Sequence, residues 1–233
     1  MPKIYLVPSP LSEGDWQNVL PARIFDVLSE TRFFIVENVR TARRFMKQVN
    51  KAIDIDGMTF FELNKHTPEK EIPAFLAPLE KGYDMAVISE AGCPGVADPG
   101  AAIVRLAHQK GMVVEPLTGP SSVFLALMAS GLNGQNFAFN GYLPVRKGER
   151  IRAIRTLEMT AKNSGQTQIF IEAPYRNNQL LNDILKAASP PTLLCIAANL
   201  TGKNAFIATK SIGQWKKEVP DLHKQPAIFL LGV

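Results

Sequence analysis

The segment SEAGCPGVADPG (89–100) has the composition of a ligand-binding loop. It holds three glycines and two prolines, and it directly follows the apolar run MAVI (85–88). Glycine lets a backbone approach a ligand closely and adopt positive φ angles. A loop of small residues between a buried strand and a helix can present backbone N–H and C=O groups to a small polar ligand, such as a nucleotide or nucleoside. On these residues alone, a purely structural turn is the alternative.

Other binding motifs are missing from the sequence. The loop matches neither G-x-G-x-x-G nor G-x-x-x-x-G-K-[ST], the two common glycine-rich phosphate motifs. Cys93 and Cys195 form no C-x-x-C pair, and His66, His108 and His223 show no ligand spacing. We therefore expect no metal site, and we expect free thiols in a reducing cytosol.

The first half of the chain alternates predicted strands and helices, which favours a mostly parallel sheet. Short apolar runs predict the strands, at 3–7, 33–36, 59–63, 85–89 and 112–117. Helices are predicted at 20–28, 40–51, 69–81, 100–110 and 119–130. Asp98 is expected to cap the fourth of these helices, with Pro99 in its first turn and Gly111 at its end. Ligands of such sheets bind beyond the carboxyl ends of the strands, where VPSP, SEAGCPG and LTGPSS would meet.

The second half predicts a second α/β domain. Strands are expected at 136–144, 167–176, 192–201 and 225–233, and helices at 178–188 and 208–219. We place the boundary near Thr118, giving domains 1–118 and 119–233. The fold class is therefore α/β with two α/β domains.

Composition and charge narrow the function classes. Hydrophobic residues make up 46% and charged residues 20%, as in ordinary globular proteins, and the net charge of +5 permits a polyanionic partner. The stretch 40–51 holds basic residues and no acid, and 146–155 holds a single acid, Glu149. Either could contact phosphates or form a solvated helix face. No signal peptide or membrane span is visible, so we expect a cytoplasmic protein without a membrane partner.

Seven segments, taken in order, resemble the tetrapyrrole methylase superfamily of S-adenosylmethionine-dependent methyltransferases. They are IYLVPSPL (4–11), IVENVRTAR (35–43), VISEAGCPGVADPG (87–100), VEPLTGPSSV (114–123), IFIEAPYR (169–176), AANLT (197–201) and PAIFLLG (226–232). The resemblance covers nearly the whole chain. It is nearest to the branch that methylates ribose 2′-hydroxyls in small-subunit ribosomal RNA. That branch commonly continues into a further C-terminal segment, which this sequence does not show.

The resemblance implies two α/β domains with the cofactor, S-adenosylmethionine, in a cleft between them, usually in a homodimer. It assigns the loop beside the methionine and ribose parts of the cofactor to Ser89, Glu90, Ala91, Gly92, Cys93 and Pro94, flanked by Pro8 and by Pro120, Ser121 and Ser122. It assigns the border of the adenosine to Ala198, Asn199, Thr201, Pro226 and Ala227. Ribosomal RNA or the small ribosomal subunit would be the partner.

The resemblance also selects candidate catalytic residues. VENVR stands where the branch has E-D-T-R and keeps Glu37 and Arg40, while EAPYR stands for E-S-P-H-R and keeps Glu172 and Arg176. A ribose hydroxyl is a poor nucleophile, so a general base would help, and we expect Glu37 or Glu172 in that role with Arg40 nearby. The structural alternative is a salt bridge of these glutamates with Arg40 or Arg176.

Two other functions stay open from the sequence. One is methylation of a tetrapyrrole or another small molecule, and the other is cofactor or RNA binding without catalysis. The basic stretches favour RNA as the acceptor. The sequence specifies neither the modified nucleotide nor the oligomeric state.

Overall fold

The structure is a computed structural model, and it describes residues 1–12 and 16–233. The chain divides into two compact units, Met1–Ser121 and Ser122–Val233. Each unit contains one five-stranded sheet with helices, which confirms the predicted α/β class.

The first unit is built on a parallel sheet with the strand order β3-β2-β4-β1-β5. Its strands are β1 (Lys3–Val7), β2 (Phe33–Val36), β3 (Thr59–Glu62), β4 (Met85–Ile88) and β5 (Val113–Pro116). Its helices are α1 (Ala22–Glu30), α2 (Val39–Val49), α3 (Ala77–Glu80) and α4 (Gly100–Gln109). Short 3₁₀ helices at Trp16–Asn18 and Glu69–Leu76 complete the unit. The predicted helix over 69–81 is thus a 3₁₀ segment followed by the single turn α3.

Both faces of this sheet are covered, which explains why its central strands are apolar at successive positions. On one face Phe34 and Val36 pack with residues of α1 and α2, including Ile24 and Phe45. On the other face the intervening residues pack with α3 and α4. All five strands are parallel, because each connection crosses a face of the sheet before the next strand begins, and the loops after their carboxyl ends therefore share one edge.

The second unit has a mixed sheet with the order β6-β7-β10-β8-β9. Its strands are β6 (Phe137–Tyr142), β7 (Thr167–Ile171), β8 (Leu193–Ala198), β9 (Phe206–Ser211) and β10 (Ala227–Gly232), and its helices are α5 (Ser122–Ser130), α6 (Lys147–Ser164), α7 (Asn177–Ala187) and α8 (Ile212–Trp215). A 3₁₀ turn at Pro174–Arg176 precedes α7. Only β6 and β7 are parallel, while β7, β10, β8 and β9 pair antiparallel in turn.

The helix predicted over 208–219 is wrong. Residues Phe206–Ser211 form β9, which pairs along its whole length with β8, and only Ile212–Trp215 is helical. Ser211 starts this short helix through a capping box with Gln214. Trp215 is buried, and its indole N–H donates to the carbonyl of Leu194 at 2.8 Å. Pairing with the free edge of β8 therefore outweighs the local preference for helix in this segment.

Candidate functional site

The loops that follow β1, β2, β4 and β5 lie at the carboxyl edge of the first sheet, because these strands are parallel. In an open α/β sheet this is the edge at which ligands bind. The predicted residues Pro8, Glu37, Ser89, Gly92 and Pro120 all follow these strand ends.

Ser9 ties the glycine-rich loop to the turn after β1. Its backbone N–H donates to the Gly92 carbonyl at 2.9 Å, and the Gly92 N–H donates back to the Ser9 carbonyl at 3.0 Å. The Ser9 hydroxyl donates to the Ser89 carbonyl, and the Ser89 hydroxyl donates to the Gly92 carbonyl, both at 2.6 Å. Both serines are buried, and Gly92 has a φ of +72°, which favours glycine. The loop is therefore held in one specific shape.

The turn after β5 packs tightly against the same loop. A Cβ atom placed on Gly119 would lie 2.4 Å from Cβ of Pro8, far inside van der Waals contact. The Cys93 thiol lies 3.6 Å from the Pro120 carbonyl, and burial raises the pKa of this thiol. The structure thus brings Pro8, Gly92, Cys93 and Pro120 together, as the cofactor-loop prediction requires.

Asp98 lies one residue before the N-cap position of α4 rather than at it. The helix begins at Gly100, and Pro99 occupies the N-cap position in an αR conformation without a side-chain cap. The Asp98 carboxylate still accepts from the backbone N–H of Gly100, the first residue of the helix, at 2.7 Å, and it also accepts from that of Gly95 at 2.9 Å. Its side chain therefore joins the start of the helix to the second half of the loop.

Glu37 lies half-buried after β2 and shares a hydrogen bond with Asp98. Burial raises the pKa of Glu37 to about 7, assisted by the hydrogen bond and the charge of Asp98 and by the charge of Glu90. Glu90 in turn accepts a hydrogen bond from the Thr41 hydroxyl of α2. A carboxyl group with a pKa near neutrality can take or give a proton at physiological pH.

The Glu37–Arg40 salt bridge is not formed. Arg40 is exposed, and it has no ion pair within the part of the chain that the structure describes. Asn38 caps α2, since its side chain accepts from the backbone N–H of Arg40 at 2.9 Å and of Thr41 at 3.2 Å. Asparagine caps helices as well as aspartate does, so the change from E-D-T-R to VENVR preserves the start of α2.

In the second unit, the carboxyl ends of β7 and β8 meet the start of β10 at one edge of the sheet. Ala198 pairs with Ala227, and the Asn199 N–H donates to the Pro226 carbonyl at 2.9 Å. Asn199 and Thr201 have positive φ angles of 51° and 66°, a conformation that is costly for residues other than glycine and that clusters at ligand sites. The residues that the resemblance assigns to the adenosine therefore form one cluster within this unit.

Gln225 organises that cluster, although sequence reasoning did not single it out. Its side-chain oxygen accepts from the Asn199 side chain at 2.7 Å, and its carbonyl accepts from the buried Asn177 side chain at 2.6 Å. Asn177 begins α7, which links this helix to the turn after β8.

Glu172 is buried in an ion pair. One carboxylate oxygen accepts from the Arg176 guanidinium at 2.6 Å and from the Ala173 N–H at 2.7 Å. Its other oxygen is buried without a hydrogen-bond partner among the described residues. This geometry is the salt bridge that the sequence gave as the alternative, and a catalytic role of Glu172 stays a prediction.

The remaining predicted residues are placed as follows. Ala91 is exposed and Pro94 is buried in the loop after β4, Ser121 ends the first unit, and Ser122 is the first residue of α5.

Among the described residues no group of three or more His, Cys, Asp or Glu side chains is arranged to hold a metal ion. Within the same residues, no helix has both the length and the apolar character needed to cross a membrane.

The comparison with known families identifies the class of the protein. The family model of the Tetrapyrrole (Corrin/Porphyrin) Methylases matches residues 4–215. The chain therefore belongs to the tetrapyrrole methylase family, and this membership indicates an S-adenosylmethionine-dependent methyltransferase. The fold agrees: the methyltransferase CobJ superposes with a TM-score of 0.64 at 15% identity, covering 99% of this chain and 92% of that chain. The uroporphyrin-III-C-methyltransferase from Thermus thermophilus superposes with a TM-score of 0.56 at 18% identity, over 99% and 92% of the two chains.

The curated relatives are more specific than the family. The chain is 34% identical to the ribosomal RNA small subunit methyltransferase I of Vibrio cholerae over 201 residues, which is 86% of this chain and 65% of that protein. It is 27% identical to the protein of the same name from Escherichia coli O157:H7 over 232 residues, covering 98% of this chain and 77% of that protein. The chain thus spans from just under two thirds to about three quarters of the length of these relatives.

Proposed function

We propose that this protein transfers a methyl group from S-adenosylmethionine to a ribose 2′-hydroxyl of small-subunit ribosomal RNA. The observation that carries the proposal is the position of Glu37, whose pKa is about 7 and whose carboxyl group is hydrogen-bonded to Asp98 of the glycine-rich loop. A candidate base and a candidate cofactor loop thereby share one edge of the first sheet. The names of the curated relatives support the choice of acceptor.

The loop after β4 is the candidate cofactor loop. Glycine at 92 and 119 lets it pack closely with the turns after β1 and β5, since a Cβ at Gly92 would lie 3.1 Å from Leu11 and one at Gly119 would lie 2.4 Å from Pro8. The backbone of Ser89–Pro94, with Pro8 and Pro120 beside it, would hold the methionine and ribose parts. The predicted assignment of Asn199, Thr201 and Pro226 to the adenosine belongs to the same proposal. When bound, S-adenosylmethionine would supply the methyl group as a sulfonium.

Glu37 would act as the general base. When bound, S-adenosylmethionine would give its methyl group to the 2′-oxygen and would keep the electron pair of the carbon–sulfur bond, so that S-adenosylhomocysteine would remain. The hydroxyl proton passes to the Glu37 carboxylate. In-line displacement of this kind depends mainly on alignment of donor and acceptor, and general-base assistance adds to it.

Helix α2 supplies a basic surface next to this site. It begins two residues after Glu37, and its exposed side chains include Arg40, Arg43, Arg44 and Lys47. Arg43 pairs with Asp56 at 2.6 Å, and Lys47 donates to backbone carbonyls at its own helix end. Arg40 and Arg44 have no acidic partner among the described residues and are therefore available for phosphates. A ribosomal acceptor also fits the predicted cytoplasmic location, and the predicted homodimer is retained as part of this proposal.

The test is methylation with labelled S-adenosylmethionine. The purified full chain is incubated with unmodified small-subunit ribosomal RNA and with assembled small subunits, and the RNA is digested to nucleosides. We expect the label in a 2′-O-methylated nucleoside. Label on a base, or transfer to a tetrapyrrole but to no RNA, would contradict the proposed acceptor.

A further inference from the structure

A surface hollow opens beside Glu37 at the carboxyl edge of the first sheet. It has a volume of about 450 Å³ and is lined by Glu37, Asn64, Lys65, His66 and Pro99. This volume lies within the range of small-molecule binding pockets. The family resemblance assigned none of its residues except Glu37.

The turn that carries Lys65 and His66 is held rigidly. The Asn64 side-chain oxygen accepts from the His66 N–H at 2.9 Å, and the Thr67 N–H donates to the Asn64 carbonyl at 3.0 Å. The Thr67 hydroxyl donates to the Glu62 carbonyl at 3.0 Å and lies 3.0 Å from the Asn64 backbone nitrogen. An Asx-type turn of this kind fixes the backbone at Lys65 and His66 without using their side chains.

The same turn is attached to the candidate base. The Leu63 N–H donates to the Val36 carbonyl at 2.8 Å, extending the pairing of β3 with β2 to the residue before Glu37. The Asn64 side-chain amide donates to the Glu62 carboxylate at 2.9 Å and lies 3.4 Å from the Glu37 carbonyl. The backbone positions of Lys65 and His66 are therefore fixed relative to Glu37.

The lining of the hollow fits a ribonucleotide. Lys65 and His66 are exposed, and neither has an ion pair or a side-chain hydrogen bond among the described residues. The side-chain nitrogens of Lys65 and His66 can therefore donate hydrogen bonds to a phosphodiester, and the apolar ring of Pro99 can contact a sugar or base. Glu37, with its pKa near 7, carries only part of a negative charge at neutral pH, so it repels a nearby phosphate less than a fully ionised carboxylate would.

We propose that this hollow, which we call the Lys65–His66 hollow, receives the acceptor nucleotide of the RNA, with Lys65 and His66 binding the adjoining phosphate. The inference rests on the proposed function, since it places the 2′-hydroxyl that Glu37 deprotonates. Phosphate contacts of this type position a strand without reading its sequence. Lys65 and His66 are thus positioning residues for the acceptor, and neither takes part in the chemistry.

The test compares Lys65→Glu with His66→Ala in the 233-residue chain. The matched control is Lys81→Glu, because Lys81 is an exposed lysine that precedes β4 at the opposite, amino edge of the same sheet. RNA binding is measured over a range of salt concentrations with unmodified small-subunit ribosomal RNA, and methylation is measured as KM and kcat. Binding of S-adenosylhomocysteine is measured on each variant to show that the cofactor loop is intact.

We expect Lys65→Glu and His66→Ala to raise the KM for RNA at least tenfold, with kcat within about twofold of wild type and unchanged S-adenosylhomocysteine affinity. The logarithm of the RNA-binding constant falls linearly with the logarithm of the salt concentration, and loss of one phosphate contact at Lys65 should make this slope, the salt slope, shallower by about one. Lys81→Glu should behave as wild type. If wild type methylates RNA and both hollow variants match it in KM and salt slope, the inference is wrong while the proposed function stands. If wild type binds the cofactor and methylates no RNA, the proposed function fails, and the inference fails with it.

Discussion

The carboxyl group of Glu37 is hydrogen-bonded to that of Asp98, which is held by the backbone of the glycine-rich loop through Gly95 and Gly100. This contact joins the candidate base after β2 to the candidate cofactor loop after β4, two neighbouring strands of one parallel sheet. A carboxyl pair of this kind holds a proton at a pH where an isolated glutamate would have lost it.

Methyl transfer should therefore rise with pH through about 7, because only the ionised form of Glu37 can accept the hydroxyl proton. Asp98→Asn keeps an acceptor oxygen for Gly95 and Gly100 and removes the charge. It should lower the pKa of Glu37 and move the rise in rate to lower pH. Burial is the largest cause of the raised pKa, so the midpoint should stay above the ordinary value of 4.5. The measurement is a pH–rate profile of single turnovers. A profile without a rise between pH 5.5 and 8.5 would rule out Glu37 as the base.

Glu37 should also make the folded protein less stable as the pH rises. Its pKa is about 7 in the folded state and near 4.5 in the unfolded chain, so the folded state holds more protons between these values. Stability then falls with rising pH across that window. Glu37→Gln removes this dependence and can still donate to Asp98, so the variant should unfold at a higher temperature than wild type at pH 8. At pH 4.5 the variant and wild type should unfold at similar temperatures. The check is thermal unfolding at both pH values, and a variant less stable than wild type at pH 8 would contradict the account.

Gly119→Ala should weaken cofactor binding. The new Cβ would lie 2.4 Å from Cβ and 2.6 Å from Cγ of the buried, rigid ring of Pro8, so the turns after β1 and β5 must separate. Overpacking of this kind costs about 1–3 kcal/mol, which lowers the melting temperature of a chain of this size by several degrees. We expect at least a tenfold loss of S-adenosylhomocysteine affinity by titration calorimetry. Gly134→Ala is the matched control, because a Cβ at Gly134 meets nothing within 4 Å. Equal behaviour of the two variants would show that this contact does not shape the loop.

Glu172→Gln should lower the stability of the folded protein and leave methylation per folded molecule nearly unchanged. It removes the charge that pairs with Arg176, whose side chain is only 25% exposed. Removing one partner of a buried pair costs about 3–5 kcal/mol, and we expect the lower end because Arg176 is partly solvated. Replacing both residues, in Glu172→Met with Arg176→Met, should recover much of the lost stability. Methylation per folded molecule should stay within a few-fold of wild type, whereas Glu37→Gln should lose about 10²–10⁴-fold. Loss of activity in a fully stable Glu172→Gln variant would instead establish its catalytic role.

The three central strands of the first unit, β1, β2 and β4, could be predicted from the sequence because they are short apolar runs that are largely buried. The helix predicted at 208–219 failed because pairing of β9 with β8 is a long-range contact that local patterns do not report. One local signal was available: Ser211 and Gln214 have capping-box spacing, which predicts that a helix starts only after Ser211.

The candidate site was predictable only in part. The glycine-rich loop is local in sequence, and its composition identified it. The Glu37–Asp98 pair joins residues distant in the chain and depends on β2 and β4 being neighbours, an order that the sequence does not state. Asp98 was predicted at the start of the helix because aspartate before proline is typical of an N-cap, and its carboxylate does accept from the first helical N–H, that of Gly100. Its second contact, with the Gly95 N–H, depends on the tight turn that begins at Gly95.

The most direct test of the central claim is calorimetric titration of the purified chain with S-adenosylmethionine and S-adenosylhomocysteine. We expect both compounds to bind in the micromolar range and binding to be lost on Gly92→Trp, because a side chain there would fill the loop where Gly92 meets Leu11 and Pro120. Gly134→Trp, at an open position, should bind as wild type. A folded wild-type protein that binds neither compound would contradict the assignment of the loop after β4 to the cofactor.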